Sequence, residues 1–253
     1  MRLVYDNRAD AATITASTTS GSLVASNLAN NAPELVWRAT NKQPTITLTW
    51  AAVQPVEAVA IAWTNLTAAA VITFRVFTET ADVTPTRTAT VTAASAGAPC
   101  VYSAFFPPGT TGKKVEVYIS DTTNGANVQV GRVIVGPTLR PSRGVRPGAG
   151  LSVSDRSNVS RSESGTLRVE QAGTYRTLSV QFDMLDPVEA NAYLLLMRGG
   201  AGRVVFATVF PDPLHPNHHT HSLLGRPTSG YEQTLAELGL SSGTLTFEEI
   251  VSL

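Results

Sequence analysis

The sequence predicts a mainly β protein, with an antiparallel sandwich or barrel in front and a smaller β-rich unit containing one helix behind. Three observations predict it. In residues 45–50, Ile46, Leu48 and Trp50 alternate with Thr45, Thr47 and Thr49, the period of a half-buried strand. Residues 56–63 are nearly all apolar, which suits a strand buried on both faces. Further short apolar runs recur with turns between them, the spacing of antiparallel β-structure.

Each element follows from local chemistry. Residues 3–5 can open the chain as a short strand, and the Thr/Ser-rich stretch 11–25 reads as irregular strand or loop. In residues 27–40 the asparagines and Pro33 suit a compact, turn-rich loop. Leu35, Val36 and Trp37 anchor it, and Trp37 is expected under the sheet's edge. Pro55 fixes φ and donates nothing to a ladder, so Gln54-Pro55 belongs at a strand entrance. In residues 70–80, Ile72, Phe74 and Val76 share one face. Residues 81–99 lack an apolar face, and Pro85 assigns part of them to loop. Residues 100–106 and 114–120 read as strands, with Cys100 a small core residue. The turn at 121–125 holds Asn124-Gly125, a strong hairpin signal, and 128–135 reads as the return strand.

Composition then shifts. Residues 136–150 hold three prolines, four glycines and three arginines with no apolar period. This predicts a front domain over 1–136, an extended connector over 137–150 and a second domain over 151–253. In the second domain Leu178, Val180 and Phe182 mark a strand. Asp186 is placed to cap a helix, with Pro187 at its first position and Glu189 in its first turn. Val188, Ala192, Leu195 and Leu196 share a helical face, and Gly199-Gly200 stops the helix. Residues 203–210 form a strand ended by Pro211. Residues 231–238 fit either strand or a turn or two of helix, and 244–253 form a closing strand.

Charge and cysteine narrow the function. Nineteen basic and nineteen acidic side chains cancel, so there is no electrostatic footprint for nucleic acid. Only 15% of residues are charged, and hydroxyls fill the difference, a surface suited to being covered by partners. A single cysteine excludes an intrachain disulfide and fits a reducing compartment. The first ten residues lack the apolar core of a secretory signal, and no apolar run is long enough for a membrane span.

Several residues could carry chemistry. All four histidines fall in residues 215–221. His219 and His221 form an H-x-H pair, and His215 with Asp212 could complete a metal shell. Pro213 and Pro216 make the segment irregular, and no second ligand cluster supports it, so no metal and no other cofactor is expected. No nucleophile elbow, zincin helix or phosphate loop occurs, so no catalytic residues are expected. Trp63 and Asn65, with Tyr102 nearby, offer a candidate carbohydrate-binding surface, but Trp63 as a core residue is the favoured reading, since aromatics at strand ends usually pack inward. Arg140, Arg143 and Arg146 of the connector, with His215, His218, His219 and His221, are candidate interface residues.

Residues 27–40 (NLANNAPELVWRAT), 45–50 (TITLTW) and 55–67 (PVEAVAIAWTNLT) together resemble the galactose-binding-like, or discoidin-like, jelly roll. That resemblance implies a jelly-roll β-sandwich. It also implies two settings, carbohydrate-binding modules and structural proteins of phage tails. Apolar strand followed by Trp-Thr-Asn-Leu-Thr is similar to the tail proteins in particular. The loop before Trp37 has Glu34 as its only acid, short of the carboxylates with which many members hold calcium. The second half resembles a small β-rich domain of tail-tip and baseplate components. The expectation is therefore a non-catalytic virion part, at the distal tail or baseplate and assembled in the host cytoplasm. Its partners would be other tail or baseplate proteins and copies of itself. The alternative is a carbohydrate-binding module for adhesion to a host-surface glycan.

Overall fold

The computed structural model describes residues 1–93, 101–146, 148–161, 165–170, 172–199, 203–228, 232–235 and 240–251. Cys100 and parts of the 199–202 and 231–238 segments lie outside them. In chain order the front strands are β1 (Arg2–Val4), β2 (Thr13–Ala16), β3 (Trp37–Arg38), β4 (Thr45–Pro55), β5 (Ala58–Ala62) and β6 (Val71–Phe77). They continue as β7 (Arg87–Thr92), β8 (Tyr102–Phe105), β9 (Thr111–Ser120), β10 (Gln129–Val130) and β11 (Arg132–Gly136). Then come β12 (Gly150–Asp155), β13 (Asn158–Arg161), β14 (Leu167–Glu170), β15 (Thr174–Leu185) and α1 (Pro187–Arg198). The chain closes with β16 (Val205–Thr208), β17 (Ser222–Pro227), β18 (Glu232–Leu235) and β19 (Ser241–Glu249). The protein is mainly β, with a front β-sandwich of jelly-roll type and one helix.

The chain forms two compact units. One comprises residues 1–140 and 205–224, the other 141–204 and 225–253. The first break, between residues 140 and 141, falls within the Pro/Gly/Arg stretch. Residues 205–224 depart from the expected division: they return to the front unit.

In the front unit a five-stranded sheet, β2-β4-β9-β6-β7, faces a three-stranded sheet, β11-β5-β8. One apolar cluster joins them, drawing Ile46, Leu48, Phe74 and Val117 from the first and Val59, Ile61 and Val133 from the second. Trp37 is fully buried and donates its indole N–H to the Thr18 carbonyl, as expected for the loop's anchor. Strand β7 lies in the stretch 81–99, which shows no strong apolar face and reads only in part as loop. Among the described residues it is an edge strand paired with β6 alone, and hydroxyl residues with a single buried Val91 gave it no apolar face to read. Residues 121–128 do not make the hairpin that Asn124-Gly125 suggested. β9 pairs with β4 and β6 whereas β10 pairs with β3, so the loop crosses between sheets. The Asp121 carboxylate holds it by accepting from Thr67 N–H, the Thr67 hydroxyl and the Asn124 amide.

Strand β5 is buried on both faces, as its apolar run predicts. Val59 and Ile61 point into the sandwich core. The alternate residues Ala58, Ala60 and Ala62 point the other way and are equally buried. A third layer covers them. It consists of the first six residues and the 205–224 return. β1 pairs antiparallel with β16, Leu3 opposite Ala207. Asn7 reaches the small sheet, donating to the Val133 carbonyl and accepting from Val135 N–H. Phe105 of β8 stacks on Phe206 of β16 at 6.2 Å between centroids. Small side chains on the outer face let this layer approach closely. Gly136 is the extreme case, since a Cβ there would stand 2.3 Å from the Asp6 carbonyl oxygen.

The second unit is built on β19, which pairs with β15 along one edge. Along its other edge it pairs with β18 and with residues 225–227 of β17. β15 continues outward to β12. Leu178, Val180 and Phe182 are fully buried, as their alternation predicts. α1 starts in a complete capping box, Asp186 accepting from Glu189 N–H while Glu189 accepts from Asp186 N–H. Its buried face is Ala190, Tyr193 and Leu196; of the expected Val188, Ala192, Leu195 and Leu196, only Leu196 is on it. Val188 is 80% exposed. The Tyr193 ring sits 4.7 Å from Phe182, and this larger contact sets the helix's rotation.

Gly136→Ala should lower stability by about 1–3 kcal/mol through overpacking against Asp6. Gly125→Ala, where nothing lies within 4 Å of the new Cβ, should change it by less than about 0.5 kcal/mol. Urea denaturation of both variants checks the contrast; equal losses would contradict the close third layer.

Candidate functional site

Three places hold the residues that sequence reasoning singled out. The first is the loop end of the sandwich beyond β5. Trp63 ends that strand in the left-handed region, with φ +54°. A non-glycine residue there costs about 1 kcal/mol, so surrounding contacts must hold it. Gly131 supplies them: its N–H bonds the Trp63 carbonyl, and a Cβ at Gly131 would stand 2.9 Å from the Trp63 ring. Trp63 is thus half-buried rather than core. Next to it, the Thr64 hydroxyl is buried with no hydrogen-bond partner among the described residues. Asn65 is spent on the backbone, donating to the Asn127 carbonyl and accepting from Gln129 N–H. Tyr102 is 1% exposed in the sandwich core and presents no open face, which corrects its expected place on a sugar-binding surface. The structure brings instead Arg38 to Gln129, cross-strand partners joined by a 3.1 Å hydrogen bond. Neither carried a signal in the sequence, since their pairing is long-range.

The second place is the histidine segment, which lies in the front unit's third layer. It is a run of turns between β16 and β17, not the extended strand that would set His219 and His221 on one side. His218 is fully buried. Its Nδ1 donates to the Phe210 carbonyl, which leaves Nε2 to accept from the Ser103 hydroxyl at 3.0 Å. His219 packs edge-on against Tyr102, 5.0 Å between centroids, with its Nδ1 toward the Val101 carbonyl. His215 stacks on Phe210 at 4.0 Å, and His221 meets the same ring edge-on. Hence His218 and His219 are not available as an intermolecular interface; burial inside the unit removes them. His215 and His221 stay partly exposed. No group of three or more His, Cys, Asp or Glu side chains converges on a metal position among the described residues. Ser103 and His218 have the spacing of a nucleophile and its base, but both are 0% exposed, so no substrate reaches them.

Burial pushes the His218 imidazole below its ordinary pKa, against the Phe210 carbonyl, which favours the charged form; the neighbouring His219 lowers it further. Burial likewise lowers His219, opposed by the Val101 carbonyl. At the opposite end of β5, burial raises the Glu57 carboxyl, but donors from Gly109 and Thr138 with nearby Arg140 leave it below its ordinary value. Glu57 thereby ties the β8–β9 turn to the chain leaving β11.

The third place is the connector. Arg140 is exposed at the end of the front unit. Arg143 and Arg146 belong to the second unit, where Arg146 pairs with Asp183 at 3.4 Å and Arg143 touches Met184. Among the described residues no helix is long and apolar enough to cross a membrane.

No protein-family model and no curated protein matches the chain. Solved structures do. A chitosan-binding module from a Paenibacillus sp. IK-5 chitosanase/glucanase is 20% identical, covering 52% of this chain and 98% of its own at a TM-score of 0.41. The family 32 carbohydrate-binding module of C. perfringens NanJ, in complex with galactose, is 12% identical over 53% and 98%, TM-score 0.41. A Streptococcus pneumoniae fucose-binding module is 14% identical over 51% and 96%, TM-score 0.40. At such identities and scores the likeness carries no functional argument.

Both buried histidines take up protons more readily when unfolded, so the stability they contribute is fully present above about pH 6.5. It should be lost as pH falls from there through their lowered folded values. Urea midpoints measured between pH 7.5 and 5 should fall, and His218→Gln should flatten the dependence. A midpoint independent of pH across that window would contradict the placement.

Proposed function

We propose that the protein is a non-catalytic structural subunit that acts by assembly, within the tail or baseplate of a tailed phage. One observation carries the reading: an arm in the second unit. β12 and β15 pair from Gly150–Ser179 to Asp155–Thr174, and the pairing resumes beyond a kink as β13 with β14. β15 is paired with β19 only from Thr177 onward, so the distal part of the arm has no neighbouring strand among the described residues. All of β13 and β14 is exposed.

The arm has two unlike faces. Its register sets Val159 opposite Val169 and Arg161 opposite Leu167 on one side. Asn158, Ser160, Arg168 and Glu170 take the other. Val159, Leu167 and Val169 are each more than half exposed. A lone two-stranded hairpin is marginal in water, and an apolar face left open favours a partner that covers it. Covering the three side chains would gain about 1 kcal/mol each, too little for a tight pair but useful in a ring where every subunit repeats the contact. The resemblance of residues 55–67 to phage-tail proteins supports the setting.

A glycan reading rests on a separate observation, the half-buried Trp63 at the loop end. An accessible aromatic face is what sugar stacking needs.

Sedimentation velocity should show wild-type association rising with concentration, while Val159→Asp/Val169→Asp stays monomeric with an unchanged melting temperature. Wild type monomeric throughout, and absent from purified particles, would contradict assembly. Glycan-array binding lost on Trp63→Ala in a folded protein would favour the second reading instead.

A further inference from the structure

Two of the connector arginines, Arg143 and Arg146, line a surface pocket of about 210 Å³ in the second unit, together with Val145, Asp183 and Met184. We propose that this pocket is an anchor for a carboxylate side chain presented by a partner polypeptide, an inference that rests on the assembly reading. Two guanidiniums face one acid. Arg146 is engaged by Asp183 at 3.4 Å, whereas Arg143 donates to the Met184 sulfur at 3.2 Å. Among the described residues Arg143 has no acidic partner, so the pocket keeps one uncompensated positive charge.

The wall is built rather than incidental. β15 slips register against β19 between Phe182 and Leu185, and Met184 there has φ +56°. That bulge turns Met184 outward, half exposed, beside Arg143. On the facing side Gly144 adopts φ +82° in a turn closed on the Pro141 carbonyl, and Arg146 N–H bonds the Gln181 carbonyl. The turn thus fixes both arginines against the strand. Charge sets the ligand class, and the space accommodates it. At about 30 Å³ per water the space holds roughly seven waters, a carboxylate with a short carbon stem. That is below the usual volume of a drug-sized or cofactor site. Val145 and Met184 would receive the stem, and the Arg143 fork matches a carboxylate's two oxygens.

The test uses the full chain, labelled with ¹⁵N, titrated with N-acetyl-glutamate, and with N-acetyl-glutamine as the uncharged control. Glutamate should shift the Arg143 and Arg146 Nε–H resonances and the amides of residues 144 and 184. Arg143→Gln should weaken that binding about tenfold or more, and raising salt should weaken it too. No shift, an equal response to glutamine, or binding unchanged in Arg143→Gln would overturn the proposal. Binding that survives while sedimentation shows no association would leave the pocket standing and sink the assembly reading; association without glutamate binding would do the reverse.

Discussion

A strand that is covered on both sides is the constraint on which the front unit depends. β5 supplies Val59 and Ile61 to one layer and Ala58, Ala60 and Ala62 to another. Water is excluded from both faces, so every backbone group must be paired within the sheet, and β11 and β8 do this on either edge. Alanines on the outer face then decide what can lie there. A larger side chain would hold the covering layer away; small ones let backbone approach backbone, as at Gly136 and Asp6. The cover is assembled from the chain's first residues and from a return after α1, so the front unit closes only when distant segments meet.

This arrangement explains the histidines. A segment that looks in sequence like a ligand-rich loop is a lid over the small sheet's edge strand. β8 offers Ser103 and Phe105 outward, and the lid answers with His218 and Phe206. Edge strands invite unwanted pairing, and covering them is one remedy. An imidazole suits the task because it can donate at one nitrogen and accept at the other, satisfying both the Phe210 carbonyl and the Ser103 hydroxyl in a dry site. Burial also makes it sensitive to acid.

Local chemistry was legible in the sequence where one face meets one core. The alternations at Ile46–Trp50 and Leu178–Phe182 and the capped start of α1 all appear as read. Tertiary choices were not legible. Val188 and Leu195 match a helical stripe as well as Ala190 and Tyr193 do, and only the Phe182 contact selects between them. The pairing of β1 with β16 joins residues some two hundred positions apart and leaves no local trace. Asn65 looked free for a ligand because its partners, Asn127 and Gln129, are also remote. The arm was missed because its apolar residues are few and exposed, the opposite of a core signal.

Native-state hydrogen exchange read by mass spectrometry tests the covered-strand account most directly. If the account holds, peptides spanning residues 2–4, 58–62 and 205–208 gain and lose protection together as urea is added, as one cooperative element. Should 205–208 exchange early, with 58–62 still protected, the third layer is not part of that element and the account fails.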